Sequence, residues 1–287
     1  MITKKRFAYL FLFVLVVQSY AQQSPLPVPP GLTVQPKPKA ESLESQCANY
    51  TDREWFVSLE NRRLKWRLVS EKENRKAPLP FEIALETDDE DGLGGRRIAY
   101  SIKDGWLVGF NAGEFGGSLW WFSTDGKQNK KITNGNIKYI TNLSDEIIVL
   151  EGLAHLTSAA GSVLRISKSE NGTYQEKVLA RLDGEPYAFV SESIDSLLVL
   201  TTSGLRRMKI SGAIEKLIET DYGMYYPTSM VRLEDGSVYV GMRRYITRLI
   251  PGENGYKEEW FVSSDCVRYA IRELSCQCVS KKTIRKK

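Results

Sequence analysis

The sequence predicts an all-β repeat fold closed into a ring, on three observations. No stretch of useful length carries a 3.6-residue apolar stripe, so helix is nearly absent. β-branched and aromatic runs are instead bounded by clusters of Gly, Asp, Asn and Ser, the pattern of short strands and tight turns. Third, four segments share one plan. Asp104-Gly105 leads into Trp106-Leu107-Val108, Asp145-Glu146 into Ile147-Ile148-Val149, Asp195-Ser196 into Leu197-Leu198-Val199, and Asp235-Gly236 into Ser237-Val238-Tyr239-Val240. The aspartates lie 41, 50 and 40 residues apart. A period of about 40 to 50 residues is that of the four-stranded blade of a β-propeller.

Each unit reads as four strands. The first is 98–102, 106–110, 118–123 and 130–133; the second is 138–141, 147–150, 163–167 and 177–181. The third is 187–191, 197–201, 205–210 and 215–219, and the fourth is 229–233, 238–242, 245–250 and 258–262. Three strands precede the first unit (55–59, 64–70 and 81–86), and a single one, 267–274, follows the fourth. Arg62-Arg63-Leu64-Lys65-Trp66-Arg67-Leu68 parallels Arg243-Arg244-Tyr245-Ile246-Thr247-Arg248-Leu249, which assigns the early strands to the second, third and fourth places of a blade. The expected fold is therefore a propeller of five four-stranded blades, the last closed by N-terminal strands plus one C-terminal strand. Closure removes exposed sheet edges. It would bring Cys47 and Cys276 to one turn as a disulfide, with Cys278 as competing partner and Cys266 left over.

The ends set the compartment and the charge. Lys4, Lys5 and Arg6 precede the apolar run Phe7 to Val17, and Ser19 and Ala21 supply the small residues of a signal peptidase site. We expect cleavage after Ala21 and a secreted or periplasmic protein. Prolines at 25, 27, 29, 30, 36 and 38 mark 22–46 as a linker, 47–279 is the propeller, and 280–287 is a basic tail. Removing the signal lowers the net charge from +5 to about +2, and five tail cations account for more than the rest. Basic charge on a chain end is not a nucleic-acid footprint. No nucleic-acid partner, no membrane span after cleavage and a monomer are expected.

Asp104-Gly105-Trp106-Leu107-Val108-Gly109, followed by Ser118-Leu119-Trp120-Trp121-Phe122-Ser123-Thr124-Asp125-Gly126-Lys127, resembles the blade plan of bacterial PQQ-type propeller repeats, within the broader WD40-like class. The resemblance implies architecture over residues 98–262. The family's repeated tryptophan docking at blade ends is missing, and no quinone or other cofactor is inferred.

His155 is the sole histidine and no Gly-x-Ser-x-Gly turn occurs, which argues against nucleophilic triads. The acidic run Glu86 to Asp91 fails the register of a calcium loop, since the twelfth position falls on Ile98. No metal site is assigned. Propeller geometry gives the better lead, because loops between second and third strands share a face with the blade-to-blade connections. Loops 111–117 and 151–162 and the connection 220–227 would gather Glu114, Phe115, Glu151, His155, Tyr222, Tyr225, Tyr226, Arg243 and Arg244 there. Aromatics and arginine favour binding. The expected function is a non-catalytic extracytoplasmic module, an immunity or accessory protein for example, recognising a protein, peptide or glycan on this face. The alternative is a propeller enzyme such as a glycoside hydrolase or a glutaminyl-cyclase-like enzyme, which needs carboxylates converging in the central channel.

Overall fold

The computed structural model describes residues 27–39, 53–70, 79–83, 92–253 and 255–263. The signal segment, all four cysteines with the Cys47–Cys276 pairing, the acidic run 86–91, the expected strand 267–274 and the basic tail lie outside the described residues.

The described chain is all β, with two three-residue 3-10 turns at 113–115 and 223–225 and no α-helix. Four antiparallel sheets follow one another. The first orders β4 (Arg96–Ile102), β5 (Gly105–Asn111), β6 (Gly117–Phe122) and β7 (Asn129–Asn134). The second holds β8 (Ile137–Leu143), β9 (Glu146–His155), β10 (Ser158–Lys168) and β11 (Tyr174–Leu182). The third holds β12 (Pro186–Ser191), β13 (Ser196–Thr201), β14 (Gly204–Lys209) and β15 (Ile214–Glu219). The fourth holds β16 (Pro227–Arg232), β17 (Val238–Met242), β18 (Ile246–Gly252) and β19 (Gly255–Ser263). Each sheet runs from an inner first strand outward, the meander of a propeller blade. None of the helices a membrane crossing would need occurs among the described residues.

Packing follows from the sequence of the second strands. All six residues of β13, Ser-Leu-Leu-Val-Leu-Thr, are buried, because a neighbouring sheet covers each face. Between β5 and β8 the sheets approach so closely that a Cβ on Gly109 would fall 2.3 Å from Ile137. Two-residue turns with left-handed backbone join β8 to β9 at Ser144 and Asp145, whose φ angles are 50° and 63°. The same turn joins β2 (Arg53–Glu60) to β3 (Arg63–Ser70) at Asn61 and Arg62.

That hairpin corrects the expected closure. The described residues do not by themselves make five four-stranded blades: they form three four-stranded sheets, a fourth sheet whose four strands gain a fifth at the outer edge, and the two-stranded β2–β3. Nor does β2 take a second-strand place. It lies against β16, where Val57 N–H donates to Ser229 Oγ at 3.0 Å and the same hydroxyl donates to the Trp55 carbonyl at 3.3 Å. A Cβ on Gly241 of β17 would fall 2.1 Å from that carbonyl, as one on Gly109 would meet β8. β2 thus relates to the fourth sheet as an inner first strand does to the sheet before it. Residues 79–83 hold no strand, and Phe81 packs on Phe122 at a centroid distance of 5.7 Å.

Part of the segment read as a linker is built into the fold. β1 (Leu32–Gln35) pairs antiparallel with β19 and covers the outer edge of the fourth sheet. Arg248 Nη1 donates to the Pro27 carbonyl at 3.0 Å and Lys37 pairs with Glu258 at 3.0 Å, fastening both ends of the strap. The expected long loop 151–162 is likewise mostly strand, β9 and β10 extending as a hairpin to a turn at Leu156.

Candidate functional site

The inner strands open at one rim around a cavity of about 1430 Å³. Each supplies a side chain near its start: Glu54 from β2, Arg96 and Arg97 from β4, Lys138 and Tyr139 from β8, Tyr187 from β12 and Thr228 from β16. Tyr226 and Arg243 complete the wall from a blade connection and from the β17–β18 loop.

Charge is arranged around two phenols. Tyr139 donates to the Tyr187 carbonyl and meets Phe189 edge-on at 5.2 Å. Burial pushes its phenol above the usual range; Glu54 and Glu185 push the same way, and Arg96 opposes them. Burial likewise raises Tyr187, with Glu185 adding and Arg243 opposing. Both phenols are therefore neutral hydroxyls at physiological pH.

Two carboxylates border this pair. Glu54 lines the cavity yet is only 4% exposed. Glu185, 5% exposed, makes an ion pair with Lys138, and its backbone is pinned by Thr202, whose Oγ1 accepts from Glu185 N–H at 3.2 Å. Buried carboxylates are tolerated when paired and hydrogen-bonded. Opposite them, the Arg96 guanidinium sits 6.0 Å from the Tyr139 ring centre, and its buried Nε has no hydrogen-bond partner. Arg243 lies 4.0 Å over the Tyr226 ring. Tyr226 itself holds a left-handed backbone, φ 51° and ψ 66°, uncommon for a bulky residue and concentrated at functional positions.

Of the residues expected on this face, Tyr226 and Arg243 line the cavity. Glu114 in the 3-10 turn and His155 at the end of β9 meet, Nε2 to Oε2 at 2.8 Å, and Phe115 beside Glu114 is 77% exposed; none of the three lines the cavity. Arg244 is half-buried outside the lining, as is Glu151, whose carboxyl burial pushes up against the opposing Ser162 and Arg181. Tyr222 and Tyr225 correct the expectation, because they are core residues at 0% and 2% exposure. Tyr225 packs edge-on to Trp260 at 4.8 Å and donates to the Pro38 carbonyl at 2.6 Å; Tyr222 stacks on Trp260 and bonds Glu258.

Sequence reasoning missed Glu54, Arg96, Arg97, Lys138, Tyr139, Tyr187 and Glu185. The signal was present: each stands at or within two residues of the start of an inner strand. Starting β2 and β4 one or two residues earlier would have brought in Glu54, Arg96 and Arg97, whereas Lys138, Tyr139 and Tyr187 already lay within the expected strands.

No protein-family model and no curated protein matches the sequence. Solved structures share the propeller architecture at low identity. A gluconolactonase from Xanthomonas campestris aligns over 58% of this chain and 57% of its own length, at 10% identity and TM-score 0.37. Regucalcin, a calcium-binding protein from Agrobacterium tumefaciens, aligns over 73% and 74% at 11% identity and TM-score 0.39. A streptogramin B lyase aligns over 59% and 66% at 15% identity and TM-score 0.32. Against the expectation of a non-catalytic binding module stand Glu54 and Glu82 in the cavity wall, the residue type that the enzyme alternative required.

Proposed function

We propose that the chain is a propeller enzyme that hydrolyses a small carbohydrate-type substrate in the central channel. The observation that carries this reading is Glu54, a carboxylate almost withdrawn from solvent in the wall of a large polar cavity. There it acts as general base, taking a proton from a water that adds to an ester or lactone carbonyl, and it returns that proton to the alkoxide oxygen as the acyl C–O bond breaks. Lys138, held by Glu185, and the neutral phenol of Tyr187 stabilise the negative charge that develops on oxygen. Tyr226 offers an aromatic face to a sugar ring. In this reading β2–β3 begins a fifth unit of the ring, and the N-terminal Lys4 to Ala21 segment exports the enzyme.

The test is hydrolysis of a panel of aryl glycosides and sugar lactones by the full chain, by Glu54→Gln and by Lys138→Met. Turnover of one class is expected, with kcat/KM falling about 100-fold or more in Glu54→Gln while the thermal midpoint holds. A fully active Glu54→Gln protein, or no turnover of either class, overturns the reading.

A further inference from the structure

We infer that the substrate is amphipathic, an ester or lactone whose polar part meets the inner strands and whose apolar part, an alkyl chain or an aromatic ring, lies along Leu79, Phe81 and Ile83. The inference rests on the site proposed above and adds the class of substrate. The cavity wall has two characters. The inner strands bring Glu54, Lys138 and Tyr187 to it, whereas residues 79–83 bring three apolar side chains. These three pack on Val108, Phe110 and Phe122 of the first sheet, which they help to bury, yet they are themselves only half-buried. The surface they leave uncovered borders the cavity. Phe81 is held in place there, its ring 5.7 Å from that of Phe122 and so close to the turn at Gly126 that a Cβ on that glycine would fall 2.3 Å from it.

Size points the same way. The cavity, about 1430 Å³, is larger than the roughly 300 to 1,000 Å³ that encloses a drug-sized molecule, so a single sugar ring leaves much of it unfilled. A second polar group laid on Leu79, Phe81 and Ile83 would give up its hydrogen bonds to water and find no partner in their side chains. An alkyl chain or an aromatic ring has no such bonds to lose, and it removes apolar surface from water on both sides of the contact. Glu82 stands between Phe81 and Ile83 in the same wall, so an uncharged group is favoured there over an anionic one. The polar groups of the substrate are thereby left to the inner strands, where the reacting carbonyl meets Glu54.

Titration calorimetry of the full chain with methyl, butyl and octyl β-glucoside, below the micellar concentration, tests this without requiring turnover. Affinity is expected to rise with the alkyl chain, by about tenfold or more from methyl to octyl, with an increasingly negative heat-capacity change. Phe81→Ala should bind the methyl glucoside as wild type does and lose most of that gain. Ile83→Thr, a smaller change that carries the test if Phe81→Ala fails to fold, should lower the gain about threefold. Hydrolysis of 6-O-acetyl and 6-O-octanoyl glucose gives the second readout, with the octanoyl ester favoured through KM. Equal affinity for the methyl and octyl glucosides, binding of neither, equal kcat/KM for the two esters, the full gain retained in both variants, or a dimer of the free chain that Phe81→Ala dissociates overturns the inference. Glu54→Gln separates the two proposals: it should keep the octyl preference while losing turnover. Octyl preference in a Glu54→Gln protein with full turnover would leave the apolar wall standing and remove the role given to Glu54, and Glu54-dependent turnover with no octyl preference would do the reverse.

Discussion

Arg206 in the third sheet and Arg96 in the first are used in opposite ways. Arg206, inside the third sheet, is 1% exposed, and all its donor nitrogens are engaged. Nε and Nη2 fork onto Asp183 at 3.0 and 2.8 Å, Nη1 donates to the carbonyls of Leu205 and Ile218 at 3.1 and 2.6 Å, and Nη2 also reaches the Ser203 carbonyl at 3.1 Å. Arg248 repeats the theme in the fourth sheet, with Glu259, the Pro27 carbonyl and the Tyr239 hydroxyl as partners. At the channel mouth Arg96 keeps a buried donor unspent. The saturated arginines hold the fold together, whereas Arg96 stands in the channel wall with its Nε–H unaccepted.

The largest effect should come from breaking the saturated side. Arg206→Ala strands the carbonyls of Leu205 and Ile218 and is expected to cost about 2 to 4 kcal/mol, read as a fall in the denaturant midpoint. Arg96→Ala, by contrast, loses its contacts with the Tyr139 ring and hydroxyl and should cost about 0.5 to 1 kcal/mol. Equal losses in the two variants would erase the distinction between them.

A pair of adjacent tyrosines gives the same comparison on a smaller scale. Tyr225→Phe removes the bond to the Pro38 carbonyl that fastens the N-terminal strap, a loss of about 1 to 1.5 kcal/mol. Tyr226→Phe leaves its ring on Arg243 and should cost less than Tyr225→Phe. Thermal midpoints of the two single variants check the order, and a reversal would move Tyr226 from the site into the scaffold.

The same contrast explains what the sequence made legible. Strand identity was readable because burial imposes it: Leu197 to Leu200 and Ile147 to Leu150 have to be apolar if sheets stack on both sides, and the Asp-containing turns before them are local. The four complete sheets follow from that. The place of β2 was not readable, because Trp55 and Val57 are as apolar as a second strand, and only the approach of Gly241 to the Trp55 carbonyl marks it as inner. With β2 misplaced, Glu54 could not be put in the channel. Tyr222, Tyr225 and Tyr226 are alike in sequence, and it takes Trp260, forty residues away along the chain or nearly so, to bury the first two and leave the third at the mouth. Arg96 and Arg97 were overlooked because the first strand of their sheet was started at 98, two residues late, whereas Lys138 and Tyr187 lay within the expected strands, and nothing local in the sequence separates a residue at the channel rim from one on a sheet face.

The smallest effect concerns acid. Hydrogen bonds and charge from Arg206, helped by Lys216 and opposed by partial burial, hold the Asp183 carboxyl below its ordinary value of 3.8. A carboxylate depressed in the folded state contributes stability that is fully present above the unfolded value, and the contribution drains away as pH falls through the folded one. Wild type should therefore exceed Asp183→Asn in urea midpoint by a constant small margin from about pH 8 down to about pH 5, and the two should converge below about pH 3.8. Asp183 is partly solvated, which keeps the margin modest. If the margin persists in acid, the Arg206 fork is held by its carbonyl bonds alone, and the saturated arginine owes its stability to the backbone rather than to the carboxylate.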